Sequence, residues 1–430
     1  MKKVLLAVAL TALCGLTAST YADVQNIRIS GDIRVIGYYL ANVGYSGGAQ
    51  AEGNVNLFEQ QTRVKIEADL EDHVLVVVGL KADGLWGNTD AWNQAHNSAK
   101  TWFVGLDEAY VQLRELFYSP ATLTLGRQYL NYGSGLIISS FDKAYNFDAA
   151  RLVLDYHPLT IDVVAAQLNN DQGYVGYNVS GTAAIPQTDL LFVNAKYEVN
   201  GSMVKTVEGY FGWMAQSGNN SEAPMIVGLR TDLTPCENLT ASVEGAYEFA
   251  NGGGNEISAF IAKVNAKYTF KGVTWTPAVN ASYTYASGGG ENENDQAYFR
   301  PWFNMADGYN GYVLAPVLSN IQIINLGISA QPAKNTSLSL QGYYYLKADR
   351  NGFVYSDRNA DLGGNPATGL VSGFSSSRDI GGEVDAIVGY DYSKDVRCQL
   401  VYGMMFPGDV FDGVANRVAN EVRGEINVKF

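Results

Sequence analysis

Apolar and polar residues alternate along many segments of this chain, each about 10 to 14 residues long. In residues 57–70, Phe58, Val64 and Ile66 share one face of an extended chain, whereas Arg63 and Lys65 share the other. Successive side chains of a β-strand point to opposite faces, so each segment is predicted to be a strand with one apolar and one polar face. A register shifted by one residue would place both basic side chains in hydrocarbon, at roughly 2–4 kcal/mol each near the midplane of a bilayer. The pattern therefore predicts membrane-spanning strands with lipid on one side and water on the other.

The same alternation recurs at 239–249, at 260–270 and along the C-terminal residues 422–430. Short and long polar connections separate the segments in turn, which is typical of periplasmic turns and extracellular loops. The short turns fall at Glu71-Asp72, Ser119-Pro120, His157-Pro158, Asn200-Gly201, Pro235-Cys236-Glu237, Lys271-Gly272, Pro332-Ala333-Lys334 and Ser393-Lys394. With a first strand near 27–41 and a last near 420–430, they predict an all-β fold. This fold is an 18-stranded antiparallel transmembrane β-barrel with short periplasmic turns and long extracellular loops.

Three stretches add local detail to this prediction. Pro277 lies within the segment 273–285 and predicts a bulge nearby, because proline removes a donor from the hydrogen-bond ladder. Residues 297–312 are too apolar for an ordinary exposed loop, so we expect this connection to fold over or into the pore. The run Tyr343–Tyr345 has two interpretations, a track on which sugar rings stack or part of an aromatic girdle at the membrane surface.

The N-terminus has the features of a secretory signal peptide, predicted at residues 1–22. Lys2 and Lys3 precede an apolar core from Val4 to Leu16, and small residues follow near Ala22. Residues 23–430 are then expected to form a single barrel domain in the bacterial outer membrane. The terminal Phe430 resembles the signal by which the outer-membrane assembly machinery recognises its substrates. The net charge of −14 argues against nucleic acid as a partner.

Five short segments occur in a characteristic order along the chain. They are Glu108-Ala109-Tyr110-Val111, Leu125-Gly126-Arg127-Gln128 followed by Tyr132-Gly133, Phe147-Asp148-Ala149-Ala150-Arg151-Leu152, Gly382-Glu383-Val384-Asp385 with Tyr390, and Phe406-Pro407-Gly408. Together they resemble the alginate export family of outer-membrane porins. The resemblance implies a monomeric barrel of the predicted strand number. Founding members of that family pass an anionic polysaccharide outward through an arginine-lined pore, with loops and a periplasmic turn acting as lids.

The polar faces of the predicted strands carry basic and acidic residues in about equal number. A pore for a polyanion is expected to carry an excess of cations, because guanidinium groups attract carboxylates and acidic groups repel them. The candidate pore-lining and substrate-contacting residues are Arg63, Lys65, Glu108, Tyr110, Arg114, Arg127, Arg151, Arg230, Lys263, Lys267, Glu383, Asp385 and Arg423. Each of the charged residues could instead form a structural ion pair in the wall.

A basic constriction is expected only if the basic candidates of the N-terminal third lie at one height. These candidates are Arg63, Lys65, Arg114, Arg127 and Arg151. Strict alternation from Leu123 and Leu125 turns Arg127 outward. A pore-lining Arg127 therefore needs a bulge or a position at the membrane interface.

The residue types indicate no catalytic or metal-binding group. His73 and His157 fall at predicted turns and His96 falls in a predicted loop, so no Ser/His/acid or metal grouping can be assembled from them. We expect no enzyme activity, no metal and no cofactor. The leading hypothesis is an outer-membrane channel for an anionic oligo- or polysaccharide. A general diffusion porin for small nutrients and a structural or adhesive barrel with a closed lumen are the alternatives.

Overall fold

The computed structural model describes residues 26–43, 45–46, 49–50, 54–71, 73–87, 101–140, 146–168, 188–201, 203–216, 223–252, 255–289, 295–300, 302–303, 310–355, 370–372, 376–411 and 417–430. The predicted signal peptide and much of the long predicted extracellular connections lie outside these residues. No helix in the described part of the chain is long and apolar enough to cross a membrane.

Eighteen long strands can be counted in the described residues, and they form one antiparallel sheet. They are β1 (Asn26–Ala41), β2 (Asn54–Glu71), β3 (Val74–Leu85), β4 (Thr101–Leu113), β5 (Ala121–Gln128), β6 (Phe147–Tyr156), β7 (Leu159–Leu168), β8 (Thr188–Glu198), β9 (Val204–Gln216), β10 (Met225–Cys236), β11 (Leu239–Gly252), β12 (Asn255–Thr269), β13 (Ala278–Ala286), β14 (Ile321–Ala333), β15 (Thr336–Lys347), β16 (Asp379–Asp391), β17 (Val396–Pro407) and β18 (Ala419–Lys429). The short strand Asp295–Gln296 adds in parallel to the start of β12.

The sheet closes on itself because β1 pairs with β2 on one side and with β18 on the other. At the end of this seam, Gly31 N donates to the carbonyl of Phe430 (2.8 Å) and Phe430 N donates to the carbonyl of Gly31 (3.0 Å). Each of the eighteen strands therefore has a partner on both sides, as a sheet in hydrocarbon requires. The predicted barrel is confirmed, and the chain reverses at all eight predicted short turns.

The outer face of the barrel is apolar and the inner face is largely polar, in the predicted register. Phe58, Ile66 and Phe260 are exposed on the outside, whereas Arg63 and Lys263 are buried on the inside. The tyrosine run divides between the two faces: Tyr344 points outward, and Tyr343 and Tyr345 point inward with their rings stacked at 6.0 Å. Alternation alone therefore assigned the two environments correctly.

The bulge predicted at Pro277 is wrong, because this proline precedes the strand. β13 begins at Ala278, and residues 270–277 form a wide turn in which Phe270 N donates to the carbonyl of Pro277 (2.8 Å). Trp275 and Thr276 adopt positive φ angles of 70° and 43° in this turn, which end the strand geometry. The apolar residues of the turn extend the alternating pattern beyond the strand itself.

Gly31→Ala should destabilise the barrel. A Cβ at position 31 would contact the backbone carbonyl oxygen of Arg63 and would lie 2.6 Å from Cζ of Phe430. Crowding of this kind costs about 1–3 kcal/mol. The measurement is the urea concentration at which the protein loses the heat-modifiable electrophoretic mobility of a folded barrel.

Gly424→Ala is the matched control for this experiment, because a Cβ at position 424 of β18 would have no heavy atom within 4 Å. We expect its urea midpoint to remain at the wild-type value. Equal midpoints for the two variants would contradict the close packing inferred at the seam.

Candidate pore constriction

Part of the connection between β5 and β6 folds into the barrel. Residues 129–140, here called the first inward loop, bury several large aliphatic side chains. These are Leu130, Leu136, Ile137 and Ile138. Carboxylates of the wall hold the loop backbone: Gly133 N donates to Glu208 (3.0 Å), and Ser134 N donates to Glu244 (2.9 Å). The loop is thus fixed by backbone hydrogen bonds as well as by apolar packing.

The described part of the connection between β13 and β14 also folds inward, as predicted for residues 297–312. This connection is called the second inward loop (297–320), and the structure describes its residues 297–300, 302–303 and 310–320. Glu248 of β11 accepts hydrogen bonds from Arg300 N (3.0 Å) and from Trp302 Nε1 (3.1 Å). Arg300 and Trp302 are both buried, so the described part of this segment is confirmed to lie inside the barrel.

A second pair of carboxylates anchors the middle of this loop. Val313 N and Leu314 N donate to the two oxygens of Glu383, at 2.7 and 3.0 Å. The hydroxyl of Tyr345 also donates to Glu383 (3.2 Å). Gly311, with a φ of 105°, permits this approach, because a Cβ there would collide with the Tyr345 hydroxyl. Glu383 and its neighbour Asp385, which accepts from Tyr312 N at 3.2 Å, are therefore anchors of the constriction.

The two inward loops contact each other and share one apolar core. Ser139 N donates to the carbonyl of Phe303, and Phe303 N donates to the carbonyl of Ile137, each at 2.9 Å. The loops contribute Leu130, Leu136, Ile137, Ile138, Phe299, Trp302, Val313 and Leu314 to the core. The wall contributes residues that include Leu190, Phe192, Met214, Ile226, Ile261, Ile321 and Ile323. Part of the lumen is thus filled by a packed apolar core, which narrows the path left for a solute.

A row of basic side chains lines the lumen near the seam, on β18, β1, β2 and β3. Its members are Arg423, Arg34, Arg63 and Lys81. Glu425 pairs with Arg34 (2.9 Å) and with Arg423 (2.8 Å). The guanidinium of Arg423 lies 5.5 Å from the ring centre of Tyr38 and 5.7 Å from that of Tyr312. The second inward loop therefore reaches this basic row through Tyr312.

A β-bulge in β4 turns two consecutive carboxylates into the lumen. The register with β3 shifts by one residue at Asp107, so that Asp107 and Glu108 both lie on the inner side. Asp107 lies 3.8 Å from Arg63, and Glu108 lies 3.8 Å from Lys65. Tyr110 follows on the same face. Alternation assigns only Glu108 and Tyr110 to the lumen, so sequence reasoning missed Asp107; the only signal available was the adjacent pair of acids.

Predicted basic residues farther around the barrel are also paired with acids. Arg151 lies 2.9 Å from Asp162 on the neighbouring strand. Arg230 lies 2.7 Å from Asp232 and 3.4 Å from Glu244, the carboxylate that also anchors the first inward loop. These contacts support the alternative in which lumen charges serve as structural ion pairs.

The remaining predicted residues lie at different heights. Lys263 and Lys267 both face inward on β12, with Lys263 buried and Lys267 exposed toward the periplasmic end. Arg114 follows the end of β4, where its Nε donates to Gln112 (3.1 Å). The structure therefore brings Arg63 and Lys65 together, but it does not gather all five basic candidates of the N-terminal third.

Arg127 was expected among the pore-lining residues, and this prediction is wrong. It lies opposite Ala109 without a shift in register, and it shares the outward face with the exposed Leu125. Two hydrogen bonds of 2.8 Å join its guanidinium to Asp148, and a third reaches the carbonyl of Leu106 (3.2 Å). Alternation continues through β5 without a bulge, and the partner carboxylate makes an outward arginine tolerable.

Two tyrosines of the first inward loop place uncharged hydroxyl groups inside the barrel. Burial raises the pKa of Tyr129 and of Tyr132 above the ordinary range of a phenol. Both hydroxyls therefore stay protonated at physiological pH. The ring of Tyr132 packs 4.8 Å from that of Phe192 and lies 5.9 Å from the guanidinium of Arg151.

Glu383→Gln should loosen the second inward loop. In glutamine an NH₂ group replaces one of the two carboxylate oxygens that now accept from Val313 N and Leu314 N. This NH₂ group would face a backbone N–H, and two donors cannot bond to each other. Loss of a charge-assisted hydrogen bond costs about 1.5–3 kcal/mol. Single-channel recording in a planar bilayer should show a larger or a fluctuating conductance.

Glu237→Gln, at an exposed position in the turn between β10 and β11, is the matched control and should keep the wild-type conductance. Heat-modifiable mobility checks that both variants form barrels. A steady wild-type conductance in Glu383→Gln would contradict the anchoring role.

Solved structures of three Pseudomonas aeruginosa proteins share this fold. OccK8 (OprE) has a TM-score of 0.60 at 10% identity, covering 95% of this chain and 98% of that chain. OccK2 (OpdF), in complex with glucuronate, has a TM-score of 0.57 at 12% identity, covering 95% and 99%. OpdK with vanillate has a TM-score of 0.57 at 9% identity, covering 94% and 98%. Identities this low show the fold alone.

Sequence comparison identifies the family. A search of curated proteins gave no match. The alginate export family matches residues 52–425, which include the strands from β2 to β17 and both inward loops. A closed barrel with an apolar outer face and a loop-narrowed lumen is the architecture of a channel. The chain therefore belongs to the alginate export family and is a bacterial outer-membrane channel.

Proposed function

We propose that this channel passes an anionic oligo- or polysaccharide. The proposal rests on how exposed the charged side chains are to the lumen, rather than on how many of each sign there are. Side-chain exposure is 31% for Lys65 but 11% for its partner Glu108, and 31% for Arg151 but 8% for Asp162. In both pairs the cation extends into the lumen and the carboxylate lies against the wall. At these two pairs, an anion in the lumen therefore meets the basic group first.

The carboxylates that anchor the inward loops are withdrawn from the lumen in a similar way. They are Glu208, Glu244, Glu248, Glu383 and Asp385, and all are buried. Backbone or side-chain N–H groups of the loops donate to each of them. Such donors stabilise the negative charge and occupy acceptor sites that would otherwise face a solute. These five acids therefore add little to the negative charge that a solute in the lumen meets.

The basic row near the seam has a different role in this proposal. Arg34, Arg63 and Arg423 are themselves buried beside their acidic partners. We assign them to the structure of the wall, whereas Lys65, Arg151 and the exposed Lys267 are assigned to contact with the cargo. The predicted set of contact residues is thereby divided by exposure.

Membership of the alginate export family supports a saccharide as the cargo, and OccK2 (OpdF), crystallised with glucuronate, shows that a barrel of this fold can hold a uronate. The packed core between the loops and the wall favours a selective channel over a general diffusion porin, because it narrows the lumen. A closed structural or adhesive barrel is the other alternative.

The proposal extends to processing and assembly. We expect removal of residues 1–22 on export, and recognition of the terminal Phe430 by the outer-membrane assembly machinery. The product is a monomer that transports its cargo and catalyses no reaction. The alternating C-terminal strand and the family membership support these points.

Planar-bilayer recording tests the cargo. The current should be anion-selective, and uronate hexamers should block it. Lys65→Gln should raise the half-blocking concentration roughly ten-fold, because it removes one exposed charged donor from the path. Lys271→Gln, at an exposed turn beside Glu237, is the matched control and should leave the block unchanged.

Three outcomes would contradict the proposal. Cation-selective current would show that the carboxylates dominate the lumen. Open current that uronate hexamers do not block would favour a general porin, and the absence of current would favour a closed barrel.

A further inference from the structure

We propose that Asn280, Asn325 and Gln341, together with Tyr343, form a subsite that binds the hydroxyl groups of the saccharide. These three amide residues are called the amide patch. The inference rests on the proposed saccharide cargo and assigns to it a second contact surface. This surface lies on β13, β14 and β15, away from the basic seam.

The amide patch is assembled around a glycine. Gly327 of β14 lies opposite Asn280 on one neighbouring strand and opposite Gln341 on the other. Because Gly327 has no side chain, the two amides meet across it, and Asn280 Nδ2 donates to Gln341 Oε1 (3.1 Å). A Cβ at position 327 would collide with the amide of Gln341. The amide of Gln341 therefore occupies the space that a side chain at position 327 would need.

Every N–H group of the amide patch has a partner within the wall. Asn280 Nδ2 donates to Asn325 and to Gln341, and Asn325 Nδ2 donates to Gln341 and to the carbonyl of Gly342, all at 3.0–3.2 Å. Gln341 Nε2 donates to Asn280 (3.3 Å) and to Ser339 (2.8 Å). All six amide hydrogens are thus used.

The oxygens of the amide patch keep acceptor capacity. A carbonyl oxygen accepts two hydrogen bonds, and those of Asn280 and Asn325 each accept one within the patch. The patch therefore offers acceptors and no donors. A hydroxyl group, which can donate, fits such a surface, whereas a carboxylate, which only accepts, does not. This preference distinguishes the patch from the basic residues across the lumen.

An aromatic ring adjoins the amide patch. Tyr343 lies opposite Asn325 and follows Gln341 on the same face of β15. Its ring is parallel to that of Tyr345 (1° between the planes), which the Glu383 anchor holds in place. An apolar ring face beside a few fixed polar groups is the usual composition of a site for a small polar molecule. The apolar face of a sugar ring can pack on Tyr343 while its hydroxyls reach the amides.

The patch lies mainly on uncharged strands, with one cation and one buried acid at its borders: Lys267 of β12 lies opposite Asn280, and Asp385 of β16 lies opposite Gln341. β13 and β14 contain no charged residue, and their inward-facing positions include Ser282, Thr284 and Ser329. The lumen therefore has a charged side at β1–β4 and an uncharged hydrogen-bonding side at β13–β14. A uronate chain has both kinds of group, carboxylates and hydroxyls, and can engage both sides.

Single-channel recording with two blockers of equal charge tests the subsite. One blocker is a uronate hexamer, and the other is an acrylate hexamer, which has carboxylates but no hydroxyls. On the wild-type channel the uronate should remain bound about five-fold longer than the acrylate, which corresponds to one additional hydrogen bond. Gln341→Met and Asn280→Leu should each shorten the uronate dwell time by about that factor and leave the acrylate dwell time unchanged.

Gln112→Met, which alters a lumen amide on β4 outside the patch, is the matched control. It should leave the dwell times of both blockers unchanged. Equal dwell times for the two blockers on the wild-type channel would overturn the subsite and leave the proposed anionic cargo standing. A variant that shortens both dwell times equally would overturn it as well. If neither hexamer blocks the wild-type channel, the proposed function itself fails. The wild-type comparison stays decisive even where a variant does not assemble.

Discussion

Lipid offers no hydrogen bonds, so every backbone N–H and C=O of a strand in the membrane must find its partner in the neighbouring strand. In this barrel the first and last strands meet this requirement by pairing with each other: β1 and β18 form the seam, where Gly31 and Phe430 exchange two hydrogen bonds. Closure sorts the side chains into a lipid-facing and an inward-facing set. The wall therefore encloses a space that its own strands do not fill, and the inward loops occupy part of it.

A loop that enters this space brings backbone N–H groups that need acceptors. The wall supplies them as carboxylates, among which Glu383 accepts from Val313 and Leu314, and Glu248 accepts from Arg300 and Trp302. Around these anchors the loops and the wall form an apolar core. Several acids of the lumen wall thus hold the loops, and in the proposed function this burial is what makes an acidic protein compatible with an anionic cargo.

Much of this architecture could be predicted from the sequence, because each strand follows a period of two that lipid enforces on one face. The prediction failed where local geometry departs from that period. Asp107 was missed because a bulge turns it inward, and Pro277 was misplaced because apolar turn residues prolong the pattern. Arg127 is the reverse case: it was assigned to the pore although strict alternation turns it outward, and it lies on the outward face. The roles of the acids could not be predicted, since their partners lie far away in the chain: Glu383 and Val313 are separated by 70 positions.

The anchoring of the loops through their backbone affects how such a channel can evolve. Most anchors join wall carboxylates to backbone N–H groups, at Ser134, Tyr312, Val313 and Leu314, among others. Every amino acid except proline supplies that group. Substitutions in the loops can therefore reshape the narrow part of the pore while its attachment to the barrel persists. Mutations in the loops can therefore change which cargo passes, while the acids of the wall continue to bind the loop backbone.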